Sequence, residues 1–305
     1  MAAEQERLLR HRIRSIRSTQ KITRAMQLIA ASRIARAQRA LSMAEPYVAR
    51  LEEVVQELSN TPEASAHPLF TGSGQASAVV VIGADRGLCG AFNSSVLRMA
   101  EEVLGDDHVR SPLVVGVGRK VQSYFRFQGA PLAHAFTGFA DRPSFEDAVR
   151  VAAPVVDAVS DGRVGRALVV STRFLSTGNQ RAEISTLVPV PAAGEAGHEA
   201  SFEFEPGPET IMEELLPRWI EAQLYAALLE SAASFHVAQQ RAMQAATDNA
   251  EDLVKTFTRA MNRARQDAIT TEIMEIVGGA EALRQAGRSE DLLGQPEVYV
   301  FPEAS

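Results

Sequence analysis

The segment Gly83-Ala84-Asp85-Arg86-Gly87-Leu88-Cys89-Gly90 is where residue types and spacing come nearest to chemistry. It follows an apolar run, Ala78 to Gly83, and precedes a helical pattern. Glycines between a strand and a helix can gather backbone N–H groups around a phosphate. The spacing matches neither GxGxxG nor GxxxxGK[ST], so taken alone the segment reads first as a structural turn. Cys89 stands near Arg86, a neighbour able to lower a thiol pKa, yet a lone cysteine among glycines is more often packed than reactive. The histidines His11, His67, His108, His134, His198 and His236 are scattered without ligand spacing, so no metal site is expected. The acid pairs Glu101-Glu102, Asp106-Asp107 and Glu213-Glu214 read as solvated faces, and no Ser/His/Asp set is suggested. The chain is therefore expected to carry neither a catalytic site nor a cofactor.

The elements around the loop are mechanical in character. Ile34, Ala37, Leu41, Ala44, Val48, Leu51, Val55 and Leu58 step by three and four, the seam of a coiled coil. Leu9, Ile13 and Ile16, then Ile22, Met26 and Ile29, keep a similar spacing upstream, with Thr19 and Thr23 thinning the stripe. Pro46 is expected to kink the helix, since the pattern resumes in register on both sides. A helix over 4–58 would be roughly 80 Å long. A second helical stretch, 209–286, passes Pro217 and then runs without glycine to Gly278-Gly279. Its alanines, among them Ala232, Ala233, Ala242 and Ala246, would let a partner helix approach closely. Ile269, Ile273, Ile276, Ala280 and Leu283 form a late apolar seam, expected to overhang the first helix and face another protein.

Between the helices, a polar linker over 59–76 leads into strand-like runs Ala78–Gly83, Pro112–Val117 and Ala167–Thr172. These alternate with helical patterns at Asn93–Leu104 and Phe145–Val159, which implies an α/β sheet covered on its faces. Ile184–Pro191 and Ser201–Glu205 are expected as edge strands. The fold class is thus α/β: a long antiparallel coiled coil of the N- and C-terminal helices plus a central Rossmann-like α/β domain. The expected divisions are 1–58, 59–208, 209–286 and a C-terminal extension, 287–305.

Composition narrows the function. The 305 residues are 46% hydrophobic and 6% aromatic, with no apolar run near the roughly 18 residues of a membrane span. The first twenty residues lack the uninterrupted apolar core of a secretory signal. Residues 1–41 hold ten Lys or Arg against two acids, within a chain of 31 basic and 38 acidic residues and net charge −7. Such a basic rod suits nucleic acid, an anionic membrane surface or an acidic protein track. Phenylalanine is absent from residues 1–69, so base-stacking aromatics are not interleaved with the charge. A basic coiled-coil scaffold or nucleic-acid binder is the alternative reading.

Four separated blocks carry a resemblance. Arg12-Ile13-Arg14-Ser15-Ile16-Arg17-Ser18-Thr19-Gln20-Lys21-Ile22-Thr23-Arg24-Ala25-Met26, with Ala30-Ala31-Ser32, resembles the N-terminal signature of the ATP synthase gamma subunit family. Asp85-Arg86-Gly87-Leu88-Cys89-Gly90-Ala91-Phe92-Asn93 is similar to its central motif. Ala242-Met243 with Ala246-Thr247-Asp248-Asn249-Ala250 also matches. So does Asn262-Arg263-Ala264-Arg265-Gln266 with Ile269-Thr270-Thr271-Glu272-Ile273 through Gly278-Gly279-Ala280.

The resemblance implies the rotor shaft of an F-type ATP synthase, turning inside a hexamer of alpha and beta subunits that holds the catalytic nucleotide sites. The chain would be peripheral, at the cytoplasmic face of the cell membrane, and non-catalytic by itself. It places Lys21, Arg24 and Met26, with Arg265, Gln266, Thr270 and Glu272, at the beta-subunit contact. It places Ile273, Ile276 and Val277 in an upper bearing, and Phe202, Phe204 and Glu205 in a foot on the c-ring. It assigns Asp85, Arg86, Gly87, Leu88 and Gly90 to a lower-stalk loop involving the epsilon subunit. Two positions depart from the family pattern: Phe235 stands where an acid is common, and Gln239 near where an arginine is common. The extension past Leu283 is expected first as a disordered end, then as an added contact, then as a rotation brake.

Overall fold

The computed structural model describes residues 2–72, 74–130, 132–190, 205 and 207–293. Two compact units divide the chain: Met1–Ile22 with Thr247–Ser305, and Thr23–Ala246. Helix α1 spans Ala2–Ser59 and helix α6 spans Pro208–Leu293, and each contributes to both units. Their sequences are dense in Ala, Leu, Arg, Gln and Glu, residues that lose little side-chain freedom in a helix. Pro46 and Pro217 lie inside them without ending either helix.

The larger unit is built on a sheet of order β3-β2-β1-β4-β5. Strands β1 (Ala76–Ile82), β2 (Leu113–Val117), β3 (His134–Phe136) and β4 (Val164–Phe174) run parallel, and β5 (Gln180–Val188) pairs antiparallel with β4. β1 is buried along almost its whole length because it is central and covered on both faces. Its side chains alternate between two cores. Val79 and Val81 meet α3 (Phe92–Leu104) and α4 (Arg119–Phe127) through Val96, Ala100, Val121 and Phe125. Ala78, Val80 and Ile82 face α5 (Phe145–Ser160) through Ala148, Val151 and Val155. The same core takes in Leu51, Val55 and Leu58 of α1 with Met212, Leu216, Ile220 and Leu224 of α6, so the helices are anchored to the sheet.

Three short elements escape the sequence patterns: the 3-10 turn Pro62–Ala66, α2 (Pro68–Thr71) and the three-residue strand β3. Helix α4, nine residues long, also carries no long apolar period. The edge strand expected at Ile184–Pro191 is the second half of β5, which begins earlier, at Gln180. The expected strand Ser201–Glu205 lies, apart from Glu205, outside the described residues, as do residues 294–305.

The upstream seam of α1 takes a different line from the one expected. Ile22 and Ile29 are 58% and 51% exposed, whereas Thr23 and Ala30 are buried. The alternating steps of the Ile34–Leu58 seam, carried backward, land on Ala30, Gln27, Thr23, Gln20, Ile16, Ile13 and Leu9, all buried or half-buried. Geometry therefore places three polar residues, Gln20, Thr23 and Gln27, and Ala30 on the inner line, and leaves the larger Ile22 and Ile29 outside. In the larger unit Gln27 Nε2 donates to Gln244 Oε1, joining α1 to α6 with a polar contact at that level.

Candidate functional site

The loop after β1 is organised by two polar side chains, the buried Asp85 and the half-buried Asn93. Asp85 Oδ1 accepts from the backbone N–H of Arg119 at 3.1 Å. Its Oδ2 accepts from Gly138 N–H at 2.9 Å and Ala140 N–H at 3.1 Å. One carboxylate thus joins the loop, the start of α4 and the segment after β3. Asn93 Oδ1 accepts from Ala84 N–H at 3.0 Å, while its Nδ2 donates to Cys89 Sγ at 3.2 Å and to Arg86 O at 3.4 Å. Gly83 permits this turn because a Cβ there would stand 2.6 Å from Val121 Cγ2.

The remaining loop residues divide between packing and display. Cys89 is buried with Ala84 and Phe92 against Phe235 of α6. Burial pushes its thiol pKa up, although Asn93 and Lys120 act the other way, so activation by Arg86 does not occur. Arg86 instead pairs with Asp141, Nε to Oδ2 at 3.1 Å. His236 of α6 contacts the Asp141 carbonyl oxygen through Nε2 at 3.0 Å. Asp141 was not singled out by sequence, because it lies some fifty residues from its partner in a segment without a motif, and His236 was read only as one of six scattered histidines. Leu88 is 62% exposed and holds a φ of 62°, a conformation that a leucine rarely adopts.

The other candidate residues are displayed as well. Lys21 and Arg24 are exposed, and Met26 is half-buried. In the smaller unit Arg265, Gln266, Thr270 and Glu272 are exposed on α6, where Thr270 Oγ1 donates to Gln266 O at 3.0 Å. Ile273, Ile276 and Val277 are exposed too, with Ile269 and Met274 beside them in sequence. Glu205 is exposed, while Phe202 and Phe204 lie outside the described residues. Among the described residues, no group of three or more His, Cys, Asp or Glu could hold a metal ion. No described helix is long and apolar enough to cross a membrane.

Large apolar side chains exposed on a helix, a basic α1 and a pinned loop together describe a chain made for contact with other proteins. The family model described as ATP synthase matches residues 5–283. The chain belongs to the ATP synthase gamma chain family. It is 47% identical over 296 residues to the ATP synthase gamma chain of Parafrankia sp., covering 92% of this chain and 98% of that one. It is 44% identical over 299 residues to the gamma chain of Mycolicibacterium smegmatis, covering 91% and 97%.

Solved structures share the gamma-chain fold at lower identity. A chain of the Euglena gracilis mitochondrial ATP synthase, in a structure of its OSCP, F1 and c-ring, superposes with a TM-score of 0.67 at 17% identity, covering 98% of this chain and 99% of that one. A chain of the Tetrahymena thermophila mitochondrial enzyme's central stalk and c-ring gives 0.58 at 21%, covering 74% and 99%. Against the family pattern, the departures at Phe235 and Gln239 are both buried, at 1% and 5% exposure. Phe235 fills an apolar niche in which a carboxylate would need a partner.

Proposed function

We propose that this gamma chain is the rotor shaft that couples ion-driven rotation of a c-ring to ATP synthesis or hydrolysis in an alpha/beta hexamer. The observation that carries the reading is the 47% identity to an ATP synthase gamma chain, sustained over 98% of that chain. Its partners are the alpha and beta subunits, the epsilon subunit and the c-ring. It works without a catalytic site or cofactor of its own, as a peripheral component at the cytoplasmic face of the cell membrane.

The physical requirements of a rotor fit the residues. A shaft must not bind one angular position of its sleeve much more tightly than the next, since a ligand shifts an equilibrium only by its differential affinity. Exposed Lys21 and Arg24 offer screened ion pairs worth about 0–1 kcal/mol each, which exchange readily between successive acidic loops of beta. Arg265, Gln266, Thr270 and Glu272 supply the matching contacts from α6. Ile273, Ile276 and Val277 present an apolar, non-directional surface suited to a bearing. Asp85, Arg86, Gly87, Leu88 and Gly90 form the lower-stalk contact, with Leu88 at its exposed tip. The foot on the c-ring is assigned to Phe202, Phe204 and Glu205. The chain divides functionally at 1–58, 59–208, 209–286 and 287–305.

Co-expression with alpha and beta subunits from the same source tests this. A hexamer should assemble around one copy and hydrolyse ATP, and Met26→Lys should lower the coupling of hydrolysis to ion pumping in the full complex. Failure to co-purify, where an established gamma chain does, would overturn the reading.

A further inference from the structure

Four arginines line one cavity in the larger unit. Arg33 and Arg36 of α1, Arg86 of the loop after β1 and Arg142 after β3 line a concavity of about 570 Å³. That volume lies within the range of small-molecule sites, about 300–1,000 Å³. Asp141 is the one carboxylate in the lining, and it is already paired with Arg86. Arg33, Arg36 and Arg142 enter no ion pair among the described residues. The cavity therefore carries an uncompensated positive charge that its own protein does not neutralise.

A second feature sits in the same wall. His236 lines the cavity and is 2% exposed, with Nε2 at 3.0 Å from the Asp141 carbonyl oxygen and a buried Nδ1 that has no hydrogen-bond partner. Buried polar groups are normally satisfied, so an orphaned imidazole nitrogen beside surplus cations needs an explanation. An Nε2–H that donates to the carbonyl leaves the buried Nδ1 as an unpaired acceptor within the cavity wall. Guanidinium groups match phosphate oxygens in geometry as well as charge.

We propose that this cavity binds a compact phosphate-bearing anion, with a diphosphate group as the recognised chemistry. A diphosphate carries more negative charge and more acceptor oxygens than a single phosphate, and so answers the charge of Arg33, Arg36 and Arg142 more fully. An acidic segment of another protein would also answer the charge. The size of the concavity favours a small ligand.

Isothermal titration of the isolated full-length chain with inorganic pyrophosphate tests the site, with ADP as a second titrant. Saturable one-to-one binding is expected, and Arg36→Ala and Arg142→Ala should each weaken it by about tenfold, the scale of one lost charge-assisted contact. Both side chains are exposed, so their removal should leave the thermal melt unchanged. Arg50→Ala is the control, since Arg50 lies on α1 outside the cavity and pairs with Glu53. Equal affinity for the two titrants identifies the diphosphate alone, and tighter ADP binding adds a nucleoside contact. The proposal is overturned by no saturable binding up to about 1 mM, a concentration at which even a weak site with a binding energy near 4 kcal/mol would be half filled. It is equally overturned by the same loss in Arg50→Ala, or by saturation with an acidic peptide and not with pyrophosphate. None of these outcomes depends on assembly with other subunits, so the rotor reading stands or falls separately.

Discussion

Phe92 and Phe235 meet edge to face, with ring centroids 5.7 Å apart and planes at 70°. Phe92 opens helix α3 at the end of the β1 loop, and Phe235 lies mid-way along α6. The pair therefore fastens the sheet domain to the long helix at one point, with Ala84, Cys89 and Ala238 around it. Residues 231–237 of α6 are all buried, so the helix is enclosed here rather than amphipathic. The lock at this point is wholly apolar and aromatic.

Truncating Phe235 to alanine is expected to destabilise the larger unit by about 3–5 kcal/mol, the cost of an aromatic removed from a closed core. Phe92→Ala should cost a similar amount. The double mutant should fall short of additivity by about 0.5–1.5 kcal/mol, the worth of the ring pair beyond its buried area. Urea denaturation of the four proteins closes the cycle, and strict additivity would mean that the rings do not cooperate.

Asp85 makes a different kind of joint. Asp85→Ala leaves the N–H groups of Arg119, Gly138 and Ala140 without their acceptor. The orphaned donor of buried Ala140 costs about 1–3 kcal/mol, and those of the exposed Arg119 and Gly138 less, since water can replace the carboxylate there. Asp85→Asn keeps one acceptor oxygen, so its penalty should be clearly smaller than that of the alanine variant. Hydrogen exchange at Gly138 and Ala140 reads the effect locally. Unchanged protection of those amides in Asp85→Ala would refute the assignment.

What the sequence disclosed follows from how local each signal is. The unbroken apolar run Ala78–Gly83 marks a buried strand, and the three-four rhythm of Ile34–Leu58 marks a helix seam, because both patterns lie within one element. The order of the strands was not legible, since it depends on which runs pair across the crossovers. Nor was β3, whose three residues are too short to show a period. At the loop, glycine spacing indicated a turn. The partners of Asp85 and Arg86 lie 34 to 55 residues away in unpatterned segments. The error at Ile22 and Ile29 came from favouring large apolar side chains over strict register. Carrying the rhythm back from Ile34 would have selected Thr23 and Ala30.

That register makes its own prediction. Ala30 is fully buried, so Ala30→Leu should overpack the helix seam and cost about 1–3 kcal/mol. Ile29→Gln, at a position 51% exposed, should stay within about 0.5 kcal/mol of the parent. Urea midpoints of the isolated chain decide it: a larger loss at Ile29 than at Ala30 would restore the seam first expected from the sequence.

His236 gives the larger unit a pH dependence with a definite sign. Burial lowers its pKa below the ordinary value of 6.5; the Asp141 carbonyl and carboxylate oppose this, and Arg33 and Arg86 add to it. The neutral ring is therefore the folded form, and the unfolded chain takes up the proton first as pH falls. Stability is unaffected well above 6.5 and declines as the pH drops from there through the folded-state pKa, by at most about 1.4 kcal/mol per pH unit. His67, also lowered by burial with Glu213 opposing, contributes in the same direction. Replacing His236 with glutamine should remove one proton's share of the slope that opens as the pH falls below about 6.5 and leave the His67 share in place. Denaturant midpoints measured across that interval provide the check, and an unchanged slope in His236→Gln would show that the ring is protonated equally in the folded and unfolded chains.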